Sequence, residues 1–144
     1  MSSTLGPVTE FIDNLENMRP DLEALLAEHA SEPVTLIIVP SIGEWAKDKV
    51  PGFTHDPPGL ALRAHGTSAA AIVVRQTITE EQADSIISRV LLGGHPQAFH
   101  RLGTPEQFAR HLILHELAHL ENNWEQDRED ECDTWAFDRL PIGQ

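Results

Sequence analysis

The residues with the clearest chemical meaning are two histidines spaced four apart, with a glutamate directly after the first. They stand in the run His115-Glu116-Leu117-Ala118-His119. In a helix, residues i and i+4 share one face, with Cβ atoms about 5–6 Å apart, so both imidazoles can reach one tetrahedral zinc ion. The glutamate is then placed to take a proton from water at that ion. The motif predicts His115 and His119 as metal ligands and Glu116 as the catalytic base.

The helix around the motif supports this interpretation. Phe108, Leu112, His115 and His119 recur at helical spacing, so both histidines fall on the stripe that should face the core. Each buried imidazole needs a polar partner, and a shared metal ion would serve both. Two hydrogen-bonded core histidines without a metal are the alternative that this pattern leaves open.

A third protein ligand is expected from the acidic segment that follows. Residues 121–133 hold seven carboxylates and a single arginine, an unfavourable concentration of charge unless water or a cation compensates it. On helical spacing Glu129 projects from the middle of the apolar face of its helix, and Asp133 lies one turn further on. We predict Glu129 as the third ligand and Asp133 as the partner that orients a ligand imidazole, with Glu131 and Glu125 as alternative ligands.

The two motifs together resemble a known family. The run H-E-L-A-H and a downstream E-x-x-C-D-x-W-A-x-x-x-L-P, beginning at Glu129, are similar to the ImmA/IrrE family of HExxH zinc metallopeptidases of the gluzincin type. The similarity covers residues 104–141 and extends by element order back to about residue 34. It implies a zincin-like fold, one Zn²⁺ per chain, the ligands and base named above, and Asp133 at the family's Asn/Asp position.

The resemblance also implies a substrate and shows departures. Family members often degrade repressors of phages and mobile elements, so a protein substrate such as a DNA-binding repressor is expected. Ala118 stands where glycine is commoner, and the spacing between His119 and Glu129 is short. The chain has no tyrosine to stabilise an oxyanion. We assign that role to His100, with three alternatives: His95, His111 and Arg101.

The pattern of elements predicts an α+β fold, in which a small three-stranded sheet packs against helices. We expect one domain over residues 1–144, with a helical region at 1–32, strands within 33–76 and helices within 79–140. The strands are expected at 34–39 and in a hairpin of 60–65 and 69–75 around the turn 66–68. Capping boxes at Thr79 and Thr104 should start two of the helices, the second of which carries the motif.

The N-terminal region and the last helix follow from the same periodicity. Phe11, Ile12, Leu15 and Met18 predict a helix that Pro20 interrupts and residues 22–29 resume. Residues 95–103 are expected to be a connector. A final short helix is expected from about Asp127 to Leu140, and it would carry the acidic ligand.

Composition limits the partners and the compartment. The net charge is −13, and no basic stripe offsets it, so direct binding of nucleic acid is not expected. The apolar runs are far shorter than the roughly 20 residues of a membrane helix. The first residues lack a signal-peptide pattern, and the single cysteine, Cys132, cannot form an internal disulfide. We expect a cytoplasmic protein.

Two functions remain open on these residues. The first is a zinc-dependent peptidase that acts on a protein or peptide. The second is a catalytically silent interaction module that zinc stabilises, with a fourth protein ligand, Glu125 or Glu131, closing the site. Glu116 favours the first, because a structural zinc site has no use for a base.

Overall fold

Helices and a small mixed sheet share the chain in the computed structural model, which describes residues 9–63 and 69–141. The fold is α+β. In chain order the strands and helices are β1 (Glu10–Ile12), α1 (Arg19–His29), β2 (Val34–Val39), α2 (Ile42–Ala46), β3 (Gly59–Arg63), β4 (Ala70–Arg75), β5 (Ile78–Thr79), α3 (Glu80–Leu92), α4 (Ala98–Leu102), α5 (Pro105–Asn122) and α6 (Glu129–Arg139). Short 3₁₀ turns at Leu15–Met18 and Gln126–Arg128 precede α1 and α6. Within the described ranges, no helix combines the length and apolarity needed to span a bilayer.

The main sheet has the order β2-β4-β3, with β2 and β4 parallel and β3 and β4 antiparallel. Ile72 of β4 pairs with Leu36 on one side and Ala61 on the other. The central strand is buried on both faces, since Ile72 and Val73 are both fully inaccessible. Val73 belongs to a small cluster with Ile42 of α2, while Ile72 belongs to the larger core. The sheet is thus covered on both sides, and β3 is left as an outer strand.

Helix α5 runs through the centre of the molecule and carries the motif. It contacts β3 and β4, α1, α4 and α6. Burial therefore extends well beyond the predicted stripe, and every residue from Gln107 to Leu120 except Arg110 is buried. The Thr104 hydroxyl caps the helix by accepting from the Gln107 backbone N–H, and Pro105 occupies its first turn. The motif histidines are consequently held in a helix with little freedom to move.

The two predicted capping boxes have different outcomes. The box at Thr79 is complete, because the Thr79 hydroxyl accepts a hydrogen bond from the Gln82 backbone N–H and the Gln82 side chain accepts one from the Thr79 backbone N–H. At Thr104 only the first half forms. The side chain of Gln107 instead donates to the Pro141 carbonyl at 2.8 Å and accepts from Arg110. The glutamine thus ties the start of α5 to the segment after α6.

The predicted N-terminal helix is wrong at its beginning. Phe11 and Ile12 lie in β1, which pairs antiparallel with β5, and Ile12 faces Ile78. Pro20 lies in the first turn of α1 and does not interrupt a helix. Proline is compatible with a first turn but not with a helix interior, so α1 begins here. The apolar spacing that indicated a helix is satisfied by a strand pairing with a distant part of the chain.

The remaining elements lie close to their predicted places. The strands of the predicted hairpin are found as β3 and β4. The predicted turn at 66–68 lies outside the described residues, and so does the start of the chain, for which no signal peptide was expected. Residues 95–103, expected to be a connector, contain α4. The final helix begins at Glu129, after a 3₁₀ turn, two residues later than expected.

Candidate metal centre

Two imidazoles and one carboxylate meet where α5 faces the start of α6. His119 Nε2 lies 2.9 Å and His115 Nε2 3.3 Å from the same oxygen, Glu129 Oε1. The two rings are 5.1 Å apart at their centroids and nearly perpendicular. In a tetrahedral zinc site with bonds of 2.0–2.1 Å, donor atoms are about 3.3 Å apart. Glu129 is therefore brought to both predicted histidine ligands at nitrogen–oxygen distances that suit a single ion.

The other nitrogen of each histidine is already occupied. His115 Nδ1 lies 2.7 Å from Asp133 Oδ1, and His119 Nδ1 lies 2.8 Å from the Trp124 carbonyl oxygen. The latter contact depends on Asn123, which ends α5 in the left-handed region at φ 54° and turns the chain back. An acceptor at Nδ1 holds a proton there, so in the neutral ring Nε2 carries the lone pair that a metal would take.

The electrostatics of the cluster favour a positive charge at its centre. Burial alone would lower the pKa of His115, but its hydrogen bonds to Asp133 and Glu129 outweigh it and raise the pKa to about 9. Contacts with Cys132 and Glu129 raise the pKa of His119 to about 11. Burial opposes ionisation of Glu129, yet the two histidines lower its pKa to about 2. Without a metal, protons occupy the space between these donors, where a cation would otherwise bind.

Glu116 lies in the same cleft as the three donors. The cleft has a volume of about 420 Å³, and His115, His119, Glu129 and Gly59 also line it. Burial raises the pKa of Glu116. A Cβ added at Gly59 would lie 3.0 Å from Glu116 Oε2, so the start of β3 passes directly over this carboxylate. The absence of a side chain at Gly59 keeps the space next to the predicted base open.

Asp133 contacts more than one histidine. Its Oδ1 atom faces His115 Nδ1 and also His111 Nε2 at 3.1 Å, and the side chain is buried. Burial lowers the pKa of His111, so this ring is a neutral donor to Asp133. Its Nδ1 has no hydrogen-bond partner among the described residues. His111 therefore supports Asp133 and does not face the cleft.

Three predicted residues are not at the site, which corrects those assignments. His100 is exposed on α4 and does not line the cleft, so it cannot stabilise an oxyanion there. Glu131 is exposed and lies 3.5 Å from Arg128, because it is two residues past Glu129 and points to the far side of α6. Glu125 is exposed before the 3₁₀ turn and lines a neighbouring cleft with His119, not the cleft that contains the three donors. Among the alternatives to His100, Arg101 donates to the Leu140 carbonyl and His95 contacts Thr134.

Two residues at the site were missed by the sequence analysis. Arg89 of α3 lines the cleft and is 3.6 Å from Glu129 Oε2. Cys132, considered above only for disulfide formation, is buried, and its Sγ lies within 4.8 Å of donor nitrogens of His115 and His119. Cys132 follows Glu129 by three residues, so helical spacing alone could have placed it on the same face. Nothing in the local pattern around Arg89 indicates its role.

A second cleft meets the first at His119. It has a volume of about 900 Å³ and is lined by residues that include Ala61 and Trp124. Strand β3 thus runs from the first cleft at Gly59 to the second at Ala61. β3 is one of the two edge strands of the main sheet, and both clefts adjoin it.

Comparisons with protein-family models, with curated proteins and with solved structures found no match to this chain. The structure shows an α+β fold, and it has buried groups of histidine, cysteine and aspartate side chains that can hold a metal ion.

Proposed function

We propose that this protein is a zinc-dependent peptidase with a zincin-like site, in which His115, His119 and Glu129 hold the metal. The observation that carries the proposal is the convergence of two Nε2 atoms on one oxygen of Glu129, at 2.9 and 3.3 Å. Neutral imidazole nitrogens and a carboxylate are preferred zinc ligands, and three protein ligands leave a position open for reaction. The resemblance to the ImmA/IrrE family points to the same three residues.

The chain's own residues divide the chemistry between them. Zinc, when bound, supplies Lewis acidity, which polarises a carbonyl group and makes water a nucleophile near neutral pH. Glu116 accepts the proton of the attacking water and delivers it to the leaving amine. A base with a raised pKa suits both steps, and burial raises the pKa of Glu116. Asp133 and the Trp124 carbonyl keep the two imidazoles oriented.

An extended segment of a protein is the substrate that the surface favours. The two clefts adjoin β3 at Gly59 and at Ala61, and His119 of the donor set lines both of them. A peptide that lies along an outer strand gains main-chain hydrogen bonds, which recognise shape more than sequence. The family resemblance extends this proposal to a regulatory, DNA-binding repressor as the natural substrate.

Metal content is the first test. Elemental mass spectrometry should find about one zinc per wild-type chain and almost none in Glu129→Ala, because three ligands fall to two. Glu131→Ala is the matched control, since its carboxylate is exposed and points away. Zinc that stays in Glu129→Ala, or that never loads into the folded wild type, contradicts the proposed ligand set.

Replacing the base separates catalysis from metal binding. Glu116→Gln keeps the shape and removes the proton acceptor, so zinc content should match the wild type. Hydrolysis of a labelled unfolded protein should fall at least about 100-fold. Activity that survives this change would show that Glu116 is not the base.

A second candidate function is supported by Cys132. Its sulfur lies within 4.8 Å of donor nitrogens of both histidines, and a thiolate, which is a strong zinc ligand, would be a fourth donor that closes the site. Such a site would stabilise an interaction module without turnover. Cys132 takes the place that the sequence analysis assigned to Glu125 or Glu131, both of which are exposed.

Cys132→Ala distinguishes the two functions. A peptidase with an open position keeps its zinc affinity and turnover when the thiol is removed. A closed structural site loses zinc affinity by about tenfold or more, and the cobalt-loaded wild type shows a sulfur-to-metal charge-transfer band that the variant lacks.

A further inference from the structure

Asp133 is the most heavily bonded side chain near the donor set. It is 1% exposed, and four contacts converge on its carboxylate. His115 Nδ1 and His111 Nε2 lie 2.7 and 3.1 Å from Oδ1. Arg89 donates from Nε to Oδ2 at 2.8 Å and from Nη2 to Oδ1 at 2.9 Å. We call these four residues the Asp133 cluster. It joins α3, α5 and α6 at one point.

Arg89 is the member of the cluster that reaches both the carboxylate and the cleft. Its side chain is about one-third exposed, and Nη1 lies 3.6 Å from Glu129 Oε2. Among the described residues that line the cleft, it is the single arginine or lysine. A bidentate guanidinium fixes the plane of a carboxylate, which a single-point contact cannot do. The plane of Asp133 in turn fixes the oxygen that His115 Nδ1 faces.

We infer that Arg89 is a positioning residue for the metal centre, acting through Asp133 on His115 and directly on Glu129. It holds the buried carboxylate in one orientation, so that the His115 ring presents Nε2 towards His119 and Glu129. It also offsets the charge of Asp133, which would be costly to bury alone. This inference rests on the proposed function for its metal-binding consequence, but the ordering of His115 is a property of the metal-free protein as well.

The first test uses the metal-free protein. Imidazole nitrogen–proton NMR spectra should show a protected proton on His115 Nδ1 in the wild type. Arg89→Ala should lose this protection, and Arg89→Lys should restore it in part, since an ammonium supplies charge without the two-point contact. Arg101→Ala is the matched control. Arg101 also anchors the end of α6, through the Leu140 carbonyl and the Phe137 ring, but does not touch Asp133.

The second test measures zinc affinity by competition with a chelator. Removal of a partner that orients a metal ligand typically weakens binding 10- to 100-fold, so we expect about a tenfold loss in Arg89→Ala and none in Arg101→Ala. In a double-mutant cycle, Asp133→Asn should add little to the loss in Arg89→Ala, because the two act as one unit.

The outcomes separate the two proposals. A protected His115 proton together with unchanged affinity in Arg89→Ala overturns the positioning role. Equal losses in Arg89→Ala and Arg101→Ala also overturn it, because they indicate general loosening of α6. A wild type that binds no zinc while Arg89→Ala still loses the proton rejects the peptidase proposal and keeps the positioning role.

Discussion

At the scale of residues, the chemistry depends on what each imidazole nitrogen faces. Nδ1 of His115 and of His119 is held by a fixed acceptor, so Nε2 is the atom left for a metal. The acceptors differ in kind: Asp133 is a buried carboxylate, while Trp124 contributes a backbone carbonyl. A carboxylate partner raises ligand basicity more than a carbonyl does, so the two ligands are not equivalent.

The raised pKa values of the histidines predict opposite pH dependences with and without metal. In the metal-free protein the pKa is about 9 for His115 and about 11 for His119. The stabilisation of the fold by their protonation is therefore complete below pH 6.5, about the pKa of histidine in the unfolded chain. That stabilisation is lost as the pH rises through the folded-state values. Between pH 6.5 and 9 the free energy of unfolding should therefore fall, by at most about 1.4 kcal/mol per pH unit for each histidine.

Zinc requires the unprotonated imidazoles, so its stabilising effect should grow over the same range. Urea unfolding with zinc and with a chelator, at several pH values, measures both slopes. Glu129→Gln is the control, because it removes the charge that both imidazoles face and should flatten the metal-free slope. A metal-free stability that does not change between pH 6.5 and 9 would contradict these pKa directions.

At the scale of elements, the start of β3 and the middle of α5 are packed against each other. The point of closest approach is Gly59, where a Cβ would be 3.0 Å from Glu116 Oε2 and 3.1 Å from Leu112 Cδ1. The strand therefore depends on a glycine to leave room for the base. This dependence could not be read from the sequence, where Gly59 only appears as the end of a loop rich in proline.

Gly59→Ala should disturb the base more than the fold. The added methyl group must displace Glu116 or the strand by a few tenths of an ångström, at a cost of about 1 kcal/mol. Peptidase turnover should fall while zinc content stays at the wild-type value. Gly93→Ala is the control, since a Cβ there meets the Arg89 carbonyl oxygen at 3.2 Å, a similar crowding away from Glu116. Equal activity in the two variants would exclude a special role for Gly59.

At the scale of the whole molecule, the net charge of −13 makes any cation mildly stabilising. A specific site must therefore be distinguished from screening of the general field. Zinc prefers imidazole and carboxylate donors, whereas magnesium prefers oxygen donors alone and keeps its water. A comparison of zinc and magnesium at equal concentration distinguishes a specific site from screening.

Zinc should raise the melting temperature far more than magnesium. At 100 times its dissociation constant, a ligand of the folded state adds about 2.7 kcal/mol, which corresponds to about 5–10 °C for a chain of this size. Calorimetry of wild type and Glu129→Ala with either ion measures the difference. We expect the zinc effect in the variant to shrink to that of magnesium. A rise that is equal for both ions in the wild type would indicate screening alone.

The sequence by itself determined the elements and residues whose evidence is local. Three such patterns have the period of a helix or a strand: the spacing of His115 and His119, the turn from Glu129 to Asp133, and the β-branched runs of β2 and β4. Periodicity is a property of neighbours in the chain. The α+β class, helix α5 and the position of Glu129 on the inward face of α6 follow from it, and in the structure Glu129 contacts both histidines.

The tertiary structure alone decided what depends on distant parts of the chain. Arg89 reaches Asp133 from another helix, Gly59 lies over Glu116 from a strand, and Phe11 and Ile12 join a strand through β5. Each is a contact between segments far apart in sequence, so no spacing rule indicates it. His100 was misplaced for the same reason: its residue type suited the role, but only packing determines which side chains share a cleft.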